Sequence, residues 1–93
     1  MKIRFLRSAW QDLNWVLAYY QEFFPQGTEN AKESLAKTLR LVRENPQAGE
    51  KLKNRNLRTF PVLRTPFRIV YKVTATEIQV ARIMDMRSKK NRM

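Results

Sequence analysis

The stretch "FRIVYKVTATEIQVARIMDM", Phe67 to Met86, decides the fold, because two strand-like runs flank one tight break. Phe67, Ile69, Tyr71 and Val73 alternate with Arg68, Val70 and Lys72, the period of a half-buried strand. "TATE" then turns the chain onto a second run, "IQVARIMDM", giving a β-hairpin. With Val73 opposite Ile78 and an unbroken ladder, Phe67, Ile69, Tyr71 and Val73 share a face with Ile78, Val80, Arg82 and Met84. Arg68, Val70 and Lys72 then share the other face with Gln79, Ala81, Ile83, Asp85 and Arg87. A slip of one residue would bury the arginines, so the register is tightly specified. It also sets Arg64 opposite Arg87 and Arg68 diagonally across from Asp85, within the ~7–8 Å reach of such pairs. The sequence therefore predicts an outward cluster of Arg64, Arg68, Asp85 and Arg87. Lys51, Lys53, Arg55 and Arg58 precede it on a loop, and Lys89, Lys90 and Arg92 follow.

Upstream, "LRTFPVL" reads as a further strand in which Pro61 requires an edge or a bulge, and "RTP" turns it into the hairpin. Before Gly49 the period changes to that of helices. Leu13, Val16, Leu17, Tyr20 and Phe24 line one face of a first helix, joined by Trp10. Ser8 and Gln11 stand at capping-box spacing at its start. Trp15, Tyr19 and Phe23 lie on another side, which the second helix can cover; the alternative is that one or two of them stay exposed for a partner. "FPQGTE" breaks the first helix. The second runs from Thr28 to Glu44 on a stripe of Ala31, Leu35, Thr38, Leu39 and Val42, and "ENPQAG" ends it. "KIRFL" at the start alternates like an edge strand. The expected fold is α+β, in the order β-α-α-β-β-β, with a helical hairpin on one face of a small, mostly antiparallel sheet. Residues 1–93 make one domain.

Charge is unevenly distributed. Residues 1–50 carry seven Lys/Arg against six Asp/Glu, whereas residues 51–93 carry twelve against two. A net charge of +11 concentrated in one half points to an anionic partner. The chain has no cysteine and no histidine. That argues for an intracellular, cytoplasmic setting and against zinc, a Ser-His-Asp set or a histidine base. No apolar run reaches membrane-spanning length, and the N-terminal residues lack a signal-peptide core. Only Glu77 and Asp85 are acidic after Glu50, which disfavours a two-metal nuclease. No cofactor or metal is expected. The chemistry left open is metal-free RNA cleavage, in which arginines stabilise a phosphorane, although no acid–base pair is evident.

The motifs "WQDLNW" (Trp10–Trp15), "AYY" (Ala18–Tyr20), "ENPQAG" (Glu44–Gly49), "LRTFPV" (Leu57–Val62), "PFRIVYKV" (Pro66–Val73) and "IQVARIMDMR" (Ile78–Arg87) together resemble the RelE/ParE toxins of bacterial type II toxin–antitoxin modules. The resemblance covers nearly the whole chain and implies the same layout of two helices against an antiparallel sheet. It also implies a growth-inhibiting toxin held in a hetero-oligomer by a cognate antitoxin with an acidic binding segment, of the kind associated with plasmid stabilisation. RelE-like relatives cut mRNA at the ribosome, using sheet lysines and a C-terminal tyrosine; ParE-like relatives inhibit DNA gyrase and are not enzymes. Arg68 matches the arginine both branches carry. Thr59 and Pro61 stand where the ribonuclease lysines would be, no tyrosine follows Arg87, and Asp85 stands where many relatives carry histidine. The resemblance therefore leans to the ParE branch. Arg58, Arg64, Arg68, Lys72, Arg82, Asp85, Arg87, Lys89 and Lys90 are the implied contacts for target or antitoxin. Under the RelE alternative, Arg68 and Arg87 would stabilise the transition state.

Overall fold

In the computed structural model, which describes residues 1–53 and 56–87, the elements run β1 (Lys2–Phe5), α1 (Arg7–Phe23), α2 (Thr28–Glu44), β2 (Glu50–Lys51), β3 (Arg58–Pro61), β4 (Phe67–Val73) and β5 (Glu77–Asp85). The strands form one sheet in the order β1-β5-β4-β3-β2. All neighbours are antiparallel except β1, which lies parallel to β5 at the edge. The α+β architecture with two helices on one face is as the sequence predicts. The two-residue strand β2 is additional: Lys51, expected on a loop, pairs with Arg58 at the opposite edge.

Each proline and glycine signal has a physical counterpart. Pro25 and Gly27 form a single 3-10 turn between the helices. Pro61 lies beyond the short reach of β2. Val62 N–H donates to Phe67 O, so the neighbouring Pro61 nitrogen points away from β4 and costs the sheet no hydrogen bond. The start of α1 differs from expectation. Leu6, still extended, precedes Arg7 directly, and no side chain caps the helix, so Ser8 and Gln11 do not act as a capping box. β1 pairing continues through Leu6 N–H to Val80 O, and the ladder itself delivers the chain into the helix.

The core lies between the helices and the inner sheet face. Ala9 and Val16 from α1 and Val42 from α2 meet Ile69, Tyr71, Ile78, Val80 and Ile83. Burying each large aliphatic side chain there contributes about 1.5–3 kcal/mol. Thr38, fully buried on the apolar stripe of α2, donates to Ser34 O and accepts from Leu63 N–H, which ties α2 to the turn before β4.

The motif "ENPQAG" finds its reason in Tyr71. This ring is fully buried, and its hydroxyl donates to Pro46 O at 2.8 Å and accepts from Gly49 N–H at 2.9 Å. Burial pushes the phenol pKa up, so Tyr71 stays protonated and able to donate. Arg58, opposite Tyr71 across the ladder, completes the clasp by donating to Gly49 O at 2.9 Å and to Gln47 Oε1 at 2.6 Å.

The hairpin register departs from the expected one. Val73, Lys72 and Tyr71 oppose Ile78, Gln79 and Val80 as predicted, but Val70 opposes Arg82, Ile69 opposes Ile83, and Phe67 opposes Asp85. Ala81 is the extra residue of a β-bulge, placed just past the end of β1, whose last partner is Val80. The bulge returns Ile83 to the core face, where it is 6% exposed, and moves Arg82 and Met84 off it.

Candidate functional site

Beyond the end of β1 the backbone of β5 has no strand neighbour on one side, and α1 crosses there. Asp12 covers the open edge. Its Oδ2 accepts the Ile83 N–H at 2.9 Å and the Arg82 Nε–H at 2.7 Å, while Oδ1 accepts from Arg82 Nη2 at 3.2 Å. Sequence reading assigned Asp12 no role beyond its place in "WQDLNW". Its only signal is a carboxylate on a helix face otherwise given to apolar residues. Asp12→Ala should leave the Ile83 N–H without its acceptor and cost about 1–3 kcal/mol. The half-exposed Arg82 pair adds little. Thermal denaturation should show a fall of roughly 4–24 °C in Tm, partly restored by Asp12→Asn, which keeps an acceptor oxygen.

Between α1 and β5 lies a groove of about 230 Å³ lined by Asp12, Trp15, Val16, Phe67, Met84 and Asp85, among others. An aromatic stripe borders it. Trp15 stacks on Tyr19 with centroids 5.5 Å apart, and Tyr19 meets Phe23 at 5.0 Å. Trp15 is 56% exposed and Phe23 60%, so α2 does not cover this side of α1; the packing expectation fails, and two of the three rings stay exposed. The second helix instead spends its own apolar stripe on the sheet, through Leu35, Thr38, Leu39 and Val42. Contiguous exposed aromatics of this kind mark interaction surfaces.

Asp85 and Arg87 close the same groove. Asp85 Oδ1 accepts from Arg87 N–H at 2.9 Å and Nε–H at 3.2 Å, and Oδ2 accepts from Nη2 at 3.1 Å. Held in this way, the guanidinium sits 5.4 Å from the Tyr19 ring centroid and 5.9 Å from that of Phe67, within cation–π range. Partial burial pushes the Asp85 carboxyl up, but the hydrogen bonds and charge of Arg87 outweigh it and leave the group below the usual carboxylate range. Reciprocally, Asp85 holds the Arg87 guanidinium protonated more firmly than usual.

The predicted cluster of Arg64, Arg68, Asp85 and Arg87 is therefore not formed. The Ala81 bulge carries Asp85 to the Phe67 side of the sheet, where Arg87 follows it toward α1. Arg68 stays on the outer face opposite Met84, its Nε donating to Thr59 Oγ1 at 3.1 Å. Arg64 sits in the turn before β4 with φ 62° and lines an open groove against α2 with Lys37 and Asn30. Arg58 is engaged in the Tyr71 clasp, and Arg82 in the Asp12 pair. Lys72 is exposed on the outer face. Lys89, Lys90, Arg55 and Arg92 lie outside the described residues.

The chemical consequence is direct. Arg68 and Arg87 lie on opposite sides of the sheet and do not converge on one phosphate. Thr59 Oγ1, beside Arg68, is already bonded to Ile69 O and to the guanidinium. Among the described residues no three His, Cys, Asp or Glu side chains gather as a metal ligand set, and no helix is long and apolar enough to cross a membrane.

The family model described as ParE toxin of type II toxin-antitoxin system, parDE, matches residues 3–89. No curated protein matches the sequence significantly. Among solved structures, the chromosomal ParDE toxin–antitoxin system of P. aeruginosa is similar at 25% identity and a TM-score of 0.78, over 91% of this chain and 95% of that one. The YoeB dimer of Staphylococcus aureus is similar in fold at 21% identity and a TM-score of 0.59, over 88% and 92% of the two chains. In the YoeB–YefM complex of the same organism the likeness is 20% identity and a TM-score of 0.59, over 89% and 93%.

Proposed function

Because the chain belongs to the ParE toxin family of type II toxin–antitoxin systems, we propose that it is a non-enzymatic inhibitor of DNA gyrase, trapping the cleaved DNA complex and blocking replication. Its site of action is the bacterial cytoplasm. The observation that carries this reading over ribonuclease action is the surround of Arg68. Thr59 and Pro61 occupy the positions of the RelE-type lysines, and Pro61 faces Arg68 directly across the ladder. A hydroxyl locked in two hydrogen bonds and a pyrrolidine ring supply neither a general base nor a general acid. Arg87, the other cation of that alternative, serves the far side of the sheet.

A cognate antitoxin with an acidic toxin-binding segment neutralises the protein. The ParDE and YoeB–YefM systems give the precedent of toxin–antitoxin assembly. The groove between α1 and β5 suits the apolar stripe of an amphipathic segment, with Trp15, Tyr19, Phe67 and Met84 as its floor and walls. The net charge of +11 favours an acidic partner over long range. Induced expression in a bacterial host should arrest growth with filamentation, the mark of blocked replication. Co-expression of the adjacent antitoxin gene should relieve it. Growth unaffected by the induced protein would reject toxin activity, and arrest with mRNA cleavage and no filamentation would favour the ribonuclease.

A further inference from the structure

The structure separates two kinds of surface that the sequence had merged. Around the α1–β5 groove two cations are matched: Arg82 pairs with Asp12, and Arg87 with Asp85. On the outer sheet face, of Lys2, Arg4, Arg68 and Lys72, Arg4 alone forms an ion pair among the described residues, with Glu77. Arg68 and Lys72 pair with no carboxylate among the described residues. Lys2 lies opposite Glu77, which already receives the Arg4 guanidinium at 2.9 Å and the Gln79 amide. Register brings these groups together: Arg4, Gln79 and Lys72 share one row across β1, β5 and β4. Adjacent strands lie about 4.8 Å apart and residues rise about 3.3 Å each, so Arg4, Lys72 and Arg68 span a patch of roughly 10 by 13 Å.

We propose that this outer face, through Lys2, Arg4, Arg68 and Lys72, is a contact surface for the phosphate backbone of duplex DNA. It goes beyond gyrase inhibition, since it requires no gyrase. The occupant follows from what the face lacks. Its outward positions, among the described residues, carry no aromatic ring: Phe67 and Tyr71 are buried in the core, and Phe5 and Phe60 pack against it. Single-stranded nucleic acid is held by bases stacked on aromatics, and protein partners need an apolar interface core. The exposed rings of this protein lie instead on α1. Cations without rings serve backbone positioning on a duplex, where charge neutralisation supplies the affinity and no base is read. Because the face lies across the sheet from the α1–β5 groove, DNA and a groove-bound antitoxin can occupy the protein together.

The test is fluorescence anisotropy of the full-length protein, without gyrase, on a labelled 30-base-pair duplex across a salt series. Three to four neutralised phosphates predict a slope of log K against log salt of about −3, so affinity falls about 60-fold between 50 and 200 mM salt. Lys2 and Lys72 are exposed, so the Lys2→Gln/Lys72→Gln double variant should fold normally by circular dichroism and lose about two units of that slope. Arg43→Gln on α2 should change neither. An unchanged slope in the double variant would overturn the proposal. So would tighter binding to a single strand of equal length, or stronger competition by polyglutamate than by unlabelled duplex. Failure of gyrase inhibition in a separate assay leaves this result untouched, so the two readings fall independently.

Discussion

Gly49→Ala should destabilise the protein by about 3 kcal/mol, enough to lower Tm by roughly 12–24 °C in a domain of this size. A Cβ at this position would stand 2.5 Å from Tyr71 Oη and 2.8–2.9 Å from two ring carbons. The glycine backbone itself is extended, with φ −72° and ψ 149°, so the requirement is space and not conformational freedom. Relief would demand moving a ring that is fully buried between sheet and helices, which costs about 1–3 kcal/mol as overpacking. Moving it also breaks the hydroxyl's bonds to Pro46 O and Gly49 N–H, each worth about 1 kcal/mol. Tyr71→Phe isolates the second contribution. It keeps the ring and should cost about 1–3 kcal/mol through the unsatisfied Gly49 N–H. The double variant Gly49→Ala/Tyr71→Phe should recover part of the alanine penalty, because the atom nearest to the new methyl is gone. Urea denaturation of the four proteins checks this. Additive losses would refute the clasp.

Trp15→Ala should leave stability nearly untouched and weaken antitoxin binding by about 30-fold or more. The indole is more than half exposed and stacks on the Tyr19 ring. Exposed substitutions away from core contacts usually change stability within about 0.5 kcal/mol. A tryptophan at the centre of an interface is the commonest kind of anchor, worth about 2 kcal/mol or more on truncation. The prediction thus separates a residue kept for packing from one kept for a partner. Calorimetric titration of the variant with the cognate antitoxin gives the affinity, and thermal denaturation gives the control. A large loss of Tm with unchanged affinity would assign Trp15 to the fold instead.

Much of this molecule was legible in its sequence. The strand–helix–helix–strand order, the Thr28–Glu44 helix and the first half of the hairpin register follow from periodicity and from Pro and Gly positions. Where the reading failed, one residue was responsible for most of it. The apolar spacing in "IQVARI" runs Ile78, Val80, Ile83, two apart and then three, and an unbroken ladder would have put Arg82 into the core. That misfit is the trace of the Ala81 bulge, and its consequence is large, because every side chain after it changes face. Arg87 and Asp85 thereby left the imagined outer cluster and joined Tyr19 on α1. The aromatic stripe of α1 was visible as a second apolar side. Whether α2 or an outside partner covers it depends on how α2 lies against the sheet, which no local pattern encodes. The role of Asp12 was hidden for a similar reason. An open strand edge exists only after the parallel pairing of β1 with β5 is known, and that pairing joins residues more than seventy positions apart in Lys2 and Glu77.

The bulge also bears on mechanism. By separating Arg68 from Arg87 it leaves the ribonuclease alternative without two cations on one phosphate, while the α1–β5 groove and the outer basic face remain as binding surfaces. Inhibition by binding is therefore the proposed mode of action. It is tested most directly by incubating the purified protein with DNA gyrase and relaxed plasmid, and in parallel with a translating extract. The expected result is loss of supercoiling with accumulation of cleaved gyrase–DNA complexes while the translated mRNA stays intact. Unimpaired supercoiling together with mRNA cut in the ribosomal A site would contradict it.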